Sequence, residues 1–537
     1  MTKNKKLKVG ILIDQKEIFN WQLYTIEYLK KQNFVDINLI YIPIEHNQEK
    51  RKATVLYKLI SALYKTIQGF ESNLFSEIGP NAFTKKTINL DCDIALANSN
   101  ELLEYLNNTE HDVLLNFSDI SFPEKLLNCT KFGIWQIFSG STFFCNEFIG
   151  LIEVFNKEKT HSIFLEKLES GSNAILYKST SQVNKINLLR NNNQAFWKAP
   201  HIISRKLNQV HLNNFLRTEK KNIAKNHSTS ICSSILIKYI CLFPIRYIQW
   251  LFTELKAKLF FNQWIIMYQF NDSSNLKFSF KDFKKIIPPK DRIWADPFVF
   301  KKNNEFYIFV EELLFSENKG FISYFKIDKN GNYTQPKKII ENDFHMSYPF
   351  LIEDNDDLYM IPETSENKSI MLYKCIEFPN KWEFVHNLIE NIEAVDTTIL
   401  YSNNKYWMFT NIRENKGICF EDELFVFYSD SLLSKKWTLH PKSPVLSDVT
   451  LSRAAGNLFV YNNQIIRPSQ NSSNHYGYGL NMSKISKLSL YDYDEELVEK
   501  FTPNWDRNIV SIHTFNKINN FVVIDAEINR MKPIKLK

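Results

Sequence analysis

The sequence predicts two folds in one chain, an α/β N-terminal domain with a mostly parallel sheet and an all-β C-terminal five-bladed β-propeller. Three observations carry this. A chain of 537 residues exceeds one ordinary core and splits into two or three domains. Its first part alternates apolar strands with helical patterns, whereas its second part repeats one strand–turn–strand pattern five times at intervals of roughly fifty to sixty residues, the mark of propeller blades.

In the first part, "LKVGILID" (7–14) reads as a buried strand, "FNWQLYTIEYLKKQ" as a helix and "DINLIYIPI" as a second strand. Further strands follow at "CDIALAN", "DVLLNFS" and "FGIWQIF", with helical stretches such as "ELLEYLNNT" between them. Gly10 lies inside the first strand and no GxGxxG follows it, so a dinucleotide site has no support. The stretch "DVLLNFSDISFPEKLLNCTKFGIWQIFSGS" resembles the formyltransferase fold, over roughly residues 7–200. That resemblance implies a catalytic His where Phe138 and Ser139 stand and an Asp where Glu169 stands. Formyl transfer needs a general base and an oriented acid, and Phe138 supplies neither. The expectation is an inactive or repurposed scaffold over residues 1–205.

Residues 206–285 read as a helical linker and 286–537 as the propeller. Within the linker, "ICSSILIKYICLFPIRYIQWLF" (231–252) is apolar but carries Lys238, Pro244 and Arg246, which disfavour a spanning helix. A packing helix is the expectation, with peripheral contact at a membrane surface as the alternative. The seven cysteines form no CxxC pair, and the basic N-terminus lacks an uninterrupted apolar run. Both features fit a cytoplasmic protein, membrane-associated at the inner face if the 231–252 segment touches lipid. The net charge of +7 is scattered among 59 acidic residues, without a basic run interleaved with aromatics, so nucleic acid is excluded as a partner.

The repeats are "ADPFVFKKNNEFYIFVEE", "SYPFLIEDNDDLYMIPET", "VDTTILYSNNKYWMFTN", "AGNLFVYNNQIIRPSQ" and "HTFNKINNFVVIDAE". In a propeller the innermost strand of each blade lines the central axis, so equivalent positions converge. Those positions are Asp296, Tyr348, Asp396, the Arg453–Ala455 region and His513, and the ends of the second strands add Glu311, Glu363, Asn411 and Gln470.

This pattern resembles two families. In the five-bladed propellers of glycoside hydrolase family 43, an Asp before Pro in blade one serves as base and a second Asp sits in blade three; Asp296 and Asp396 match these. That family's blade-four general acid has no counterpart, because the place reads "LSRAAGNLF". The second resemblance, over roughly residues 290–530, is to the N-terminal region of glucosamine inositol phosphorylceramide transferases. Five motifs occur in order: "ADPF", "SYPF" with "MIPET", "VDTT", "SRAAGNLF" with "RPSQ", and "IHTF" with "VID". The plant enzymes of that family carry a separate transferase domain, which is not expected in this chain, and a formyltransferase-like half before such a propeller is similar to bacterial proteins of surface polysaccharide biosynthesis.

Asp296 and Asp396 are therefore the first catalytic candidates, against the commoner role of an Asp-Pro carboxylate as a turn cap. Glu311 and Glu363 are candidates to replace the missing acid, against solvated strand-end charges. Arg453 and Arg467 suit a phosphate or carboxylate of the substrate, against structural ion pairs. Gln470, His345, His513 and Tyr348 complete the binding candidates, though buried histidines and strand aromatics are more often core. No residue set has metal-ligand spacing, so neither metal nor cofactor is expected. The leading expectation is a glycosyltransferase acting on a sugar donor and a glycan or glycolipid acceptor. A glycoside hydrolase with a relocated acid and a non-catalytic sugar-binding module are the alternatives.

Overall fold

Five short polar pairs set the architecture of the second half. In the computed structural model, the strands flanking Asn303–Asn304, Asn355–Asp356, Asn403–Asn404, Asn462–Asn463 and Asn519–Asn520 pair antiparallel across two-residue turns. Both residues of the first four pairs, and Asn519 in the fifth, have positive φ between 47° and 67°. Among residues with a Cβ, Asn and Asp enter this region most readily, and a hairpin turn of this hand matches the right-handed strand twist. The structure describes residues 5–43, 93–118, 122–139, 151–185, 188–216, 258–270 and 278–532, with short pieces at 81–82, 84–87, 120, 219–220 and within 241–256.

Each hairpin grows into one blade. Blade one contains Arg292–Lys302, Glu305–Leu314, Lys319–Ile327 and Lys337–Ile340. Blade two contains Ser347–Asp354, Asp357–Glu363, Ser369–Glu377 and Lys381–Glu390. Blade three contains Ala394–Ser402, Lys405–Ile412, Glu423–Ser429 and Thr438–Leu439, with Leu446–Ser447 beside the third strand. Blade four contains Phe459–Tyr461, Gln464–Asn471, Gly479–Leu488 and Tyr493–Phe501. Between blades, side chains such as Phe298, Tyr348, Phe350, Ile361, Met408 and Phe425 form a buried apolar cluster that no blade could bury alone.

Blade five is built from both ends of the propeller. Phe521–Met531 pairs on one side with Ile509–Ser511 and Phe515–Ile518, and on the other with Phe260–Phe270 along its whole length. Lys284–Ile286 adds the outer strand. Strand 260–270 and strand 284–286, expected in the 206–285 linker, are therefore blade strands. Taking strands from both ends of the fold closes the ring and leaves the last blade without an unpaired half.

The first unit is a mixed eight-stranded sheet. Ile94–Ala95, Val35–Tyr41, Leu7–Ile13, Val113–Asn116 and Ile134–Ser139 run parallel in that spatial order. Thr160–Lys167, Ala174–Gln182 and Glu219–Lys220 continue it antiparallel. Helices Asn20–Lys30 and Ala199–Asn213 contribute Trp21, Ile26, Ile202 and Leu207 to a core with Val9, Ile11 and Trp135. The expectation for 231–252 falls mostly outside the described residues; those described there are helical and exposed. Among the described residues, no helix is long and apolar enough to cross a membrane.

Candidate active site at the propeller axis

The site begins with three backbone irregularities. In blades one, two and three, the register between the first and second strands shifts at Ala295/Phe298, Ser347/Phe350 and Val395/Thr398. Each bulge holds one residue at positive φ: Asp296 at 50°, Tyr348 at 46° and Asp396 at 52°. A residue with a Cβ in this region costs on the order of 1–3 kcal/mol, and bulges re-aim side chains beside functional sites. The same strained turn recurring in three blades marks these residues as placed for their side chains.

Contacts between the inner strands show where those side chains meet. The Tyr348 amide donates to Asp296 Oδ2 at 3.2 Å, and Thr514 Oγ1 donates to Asp296 Oδ1 at 2.8 Å. The Tyr348 hydroxyl accepts from the Gly456 amide at 2.7 Å and lies 3.0 Å from Thr398 Oγ1. Arg453 Nε donates to Asp396 Oδ2 at 2.6 Å, and Gln470 Nε2 lies 3.4 Å from the same oxygen. One network thus joins all five blades.

The predicted residues differ in where the fold places them. Asp296, Asp396, Glu311, Glu363, Arg453, Gln470 and His513 are all buried, and Asp296, Glu311, Asp396 and His513 act electrostatically on one another. Tyr348 is also at the axis, but its ring is fully buried and its hydroxyl ties blades two, three and four together. It braces the site and presents no face on which a sugar would stack. His345 is partly exposed; its Nδ1 accepts from the Gly320 amide at 3.0 Å and its Nε2 lies 3.3 Å from Glu311 Oε1. Arg467 stands apart from this cluster. Its guanidinium makes paired bonds to Glu495 at 2.6 and 2.7 Å and a third to the Leu451 carbonyl. Arg453 is likewise engaged, with Asp396 and with Glu421 at 3.3 Å; of the two arginines, Arg453 therefore pairs with one of the axial aspartates, and Arg467 pairs with Glu495 instead.

Electrostatics separate the carboxyl groups. Burial, reinforced by Asp396 and Asp525 and opposed by His513, pushes Asp296 up to about 7. Burial and the neighbouring Asp296 push Glu311 well above the ordinary carboxylate range. Glu363 has direct partners instead: Ser347 Oγ donates at 3.0 Å and the Ser365 amide at 2.7 Å.

Several site residues carried weak or no sequence signals. Asp525 lies within the "VID" motif, yet strand periodicity does not separate it from other second-strand positions. It is fully buried and accepts from the amides of Asp296, His513 and Thr514 and from His513 Nδ1. Trp264 lies in the strand expected as linker and stacks on the His513 ring at 3.9 Å. Tyr476, whose ring is under Arg453 at 5.3 Å and edge-on to His513 at 5.5 Å, comes from a loop without strand pattern. Ligand atoms of Asp296, His513 and Asp525 lie within 4.8 Å of one another. Those of Asp525 already accept four hydrogen bonds, so the three form a hydrogen-bonded set rather than an open cation cage.

This arrangement makes stability depend on pH. Burial alone would lower the His513 ring, but Asp525 and Asp296 outweigh it and hold the ring at about 9, above its ordinary 6.5. The folded state therefore binds the proton more tightly, and the stabilisation is complete below about 6.5 and lost as pH rises through 9. Asp296, raised to about 7 from 3.8, loses its own contribution across the lower window. Between pH 7 and 9.5 the loss from His513 amounts to roughly 3 kcal/mol at most, or about 5–10 °C in melting temperature. Thermal melts of the parent and of His513→Gln at both pH values check this; the variant is expected to lose the difference.

In the N-terminal unit, Phe138 lies inside strand Ile134–Ser139 opposite Phe164, and Ser139 pairs with Ile163. Glu169 forms an ion pair with Lys167 at 3.0 Å. No acid–base pair forms among these three positions.

Comparisons with known proteins give a family model, named relatives and solved structures. Residues 286–511 match the family model described as "Glucosamine inositolphosphorylceramide transferase 1, N-terminal". Proteins of the name Glucosamine inositolphosphorylceramide transferase 1 from Oryza sativa subsp. japonica and from Arabidopsis thaliana are each 29% identical over 204 residues. The matches cover 37% of this chain and 27% and 26% of those proteins, so the chain spans about a quarter of their length. Among solved structures, a family 117 glycoside hydrolase of Zobellia galactanivorans is 9% identical, with a TM-score of 0.34 over 50% of this chain and 90% of that one. An α-L-arabinanase of Cellvibrio cellulosa complexed with arabinohexaose is 12% identical, with a TM-score of 0.30 over 38% and 77%. A 4-N formyltransferase from Francisella tularensis is 14% identical, with a TM-score of 0.25 over 40% and 74%.

Proposed function

We propose that the propeller is a carbohydrate-active enzyme of glycolipid or surface-glycan synthesis that transfers a sugar to an acceptor hydroxyl at the axis. The observation that carries this reading is the pair of unlike carboxyl groups in blade one. Asp296 lies in the bulge of the first strand and Glu311 on the strand beside it, with Ala295 paired to Glu311. Asp296, poised at about 7, can take a proton from an attacking hydroxyl. Glu311, which burial and the neighbouring Asp296 hold well above the ordinary carboxylate range, can give a proton to the leaving oxygen. A base and a proton donor on neighbouring strands are what bond exchange at an anomeric carbon requires. The match to the N-terminal region of sugar transferases that are named for an inositolphosphorylceramide acceptor supports a lipid-linked acceptor.

Hydrolysis is the second reading, favoured by the same Glu311, since base and acid are common to both reactions. The attacking group distinguishes them, an acceptor hydroxyl or water. Incubation of the full chain with a panel of activated sugars and aryl glycosides, with and without a glycolipid acceptor in vesicles, tests the proposal. The expected product is a glycosylated acceptor, and its rate is expected to rise through pH 7 and fall at higher pH. Glu311→Gln, which keeps the shape of the protonated acid, is expected to fold normally and to lose turnover by roughly 10²-fold or more. Release of free sugar only would favour hydrolysis, and absence of any bond cleavage would leave a binding module.

A further inference from the structure

Blade five contributes a device that neither the motifs nor the comparisons assign. The His513 ring is held on both sides and on one face. Its Nδ1 lies 2.6 Å from Asp525 Oδ2, its Nε2 lies 3.6 Å from Asp296 Oδ1, and Trp264 stacks on it at 3.9 Å with an interplanar angle of 15°. We propose that Asp525 is a positioning residue that clamps His513 as an imidazolium between two aspartates and thereby sets the orientation and charge of Asp296.

Four observations support this role. First, Asp525 spends both oxygens on the elements around Asp296: Oδ2 accepts from the Asp296 amide at 2.9 Å, and Oδ1 accepts from the His513 and Thr514 amides at 3.1 and 2.9 Å. It therefore pins the strained bulge and the opposing strand start together. Second, with Nδ1–H directed at Asp525, the other ring nitrogen faces Asp296, so the ring has a carboxylate at each end. Third, a flat aromatic face against the ring favours the charged form, because an indole face attracts a cation. Fourth, the other charged group that acts on both this ring and Asp296 is Asp396, which favours a proton on the imidazole, while the nearby Glu311 is held well above the ordinary carboxylate range by burial and by Asp296. Tyr476 stands edge-on to the ring and brings a phenol rather than a charge. A cation held 3.6 Å from Asp296 opposes the effect of burial on that carboxyl, which keeps the group within reach of ionisation near neutral pH.

The consequence for catalysis rests on the function proposed above; the clamp itself does not. The ring of His513 can be followed directly by NMR in the full chain with ¹³C-labelled histidine, its signal identified as the one missing from His513→Gln. The parent is expected to keep the ring charged to about pH 9. Asp525→Asn, whose carbonyl oxygen can accept from the His513 and Thr514 amides while its amide nitrogen replaces the oxygen that faces the Asp296 amide and His513 Nδ1, is expected to lower that midpoint by two pH units or more. In any sugar turnover by the same variant, the lower limb of the pH–rate profile is expected to move upward, because Asp296 loses its cationic neighbour. A parent ring that titrates near 6.5 would overturn the proposal without recourse to any variant. So would a midpoint unchanged by Asp525→Asn, or a His513 signal shifted by millimolar Ca²⁺ or Mg²⁺, which would make the three residues a metal site. A ring that behaves as expected in a protein without turnover leaves the clamp standing and removes the glycosyl-transfer reading.

Discussion

Asp296→Asn is expected to lower sugar turnover by roughly 10²–10⁴-fold while the propeller stays folded. Asparagine tolerates the left-handed backbone that Asp296 adopts at φ 50°, and its carbonyl oxygen can still accept from Thr514 or from the Tyr348 amide. What it cannot do is take a proton. Turnover measured beside a thermal melt separates the two effects: lost activity with a melting temperature within a few degrees of the parent is the expected pair of results. Removal of a carboxyl whose ionised form is disfavoured by burial is not expected to cost much stability near pH 7. Turnover equal to the parent would remove Asp296 from the reaction.

Arg467→Leu is expected to destabilise the fold by about 3–5 kcal/mol without changing turnover per folded molecule. The guanidinium and the Glu495 carboxylate are both buried, and Tyr493 also bonds Glu495. Loss of the cation leaves an uncompensated carboxylate inside blade four, and the cost is that of an unpaired buried charge. Replacement of both partners, as Arg467→Leu with Glu495→Leu, is expected to recover most of the loss. Chemical denaturation of the two variants measures this. A single variant as stable as the parent but unable to use sugar would return Arg467 to the role of a substrate ligand.

The difference between these two residues shows how far the sequence can be read. The five repeats are legible because each blade needs the same turn, and paired Asn or Asp residues write that turn into the chain. Asp296 and Asp396 are legible because equivalent positions in repeats converge, whatever the side chain. Arg467 sits on a strand of the fourth repeat and looks equally well placed. Its fate depends on Glu495, two strands away, and no periodicity carries that pairing. Trp264 and the strand that holds it belong to blade five only because the ring closes with chain from before the first repeat. "FFNQWIIMYQF" is strand-like in composition, but an isolated apolar stretch gives no hint of the partner at 521–531. Asp525 lies in a quoted motif, and its importance follows from three amides and an imidazole brought to it by folding. Positive φ at the three bulges is invisible in composition, since Tyr348 shares it with two aspartates.

The central claim is that side chains from separate blades meet a carbohydrate at the propeller axis. Its most direct test is a crystal structure of the full chain with a sugar substrate bound to the inactive Asp296→Asn variant. The account predicts the sugar at the axis, with its anomeric centre within hydrogen-bonding reach of position 296 and of Glu311 and with Trp264 or Tyr476 beside the ring. A sugar bound elsewhere on the propeller, with the axis still closed over the Asp396–Arg453 pair, would contradict it.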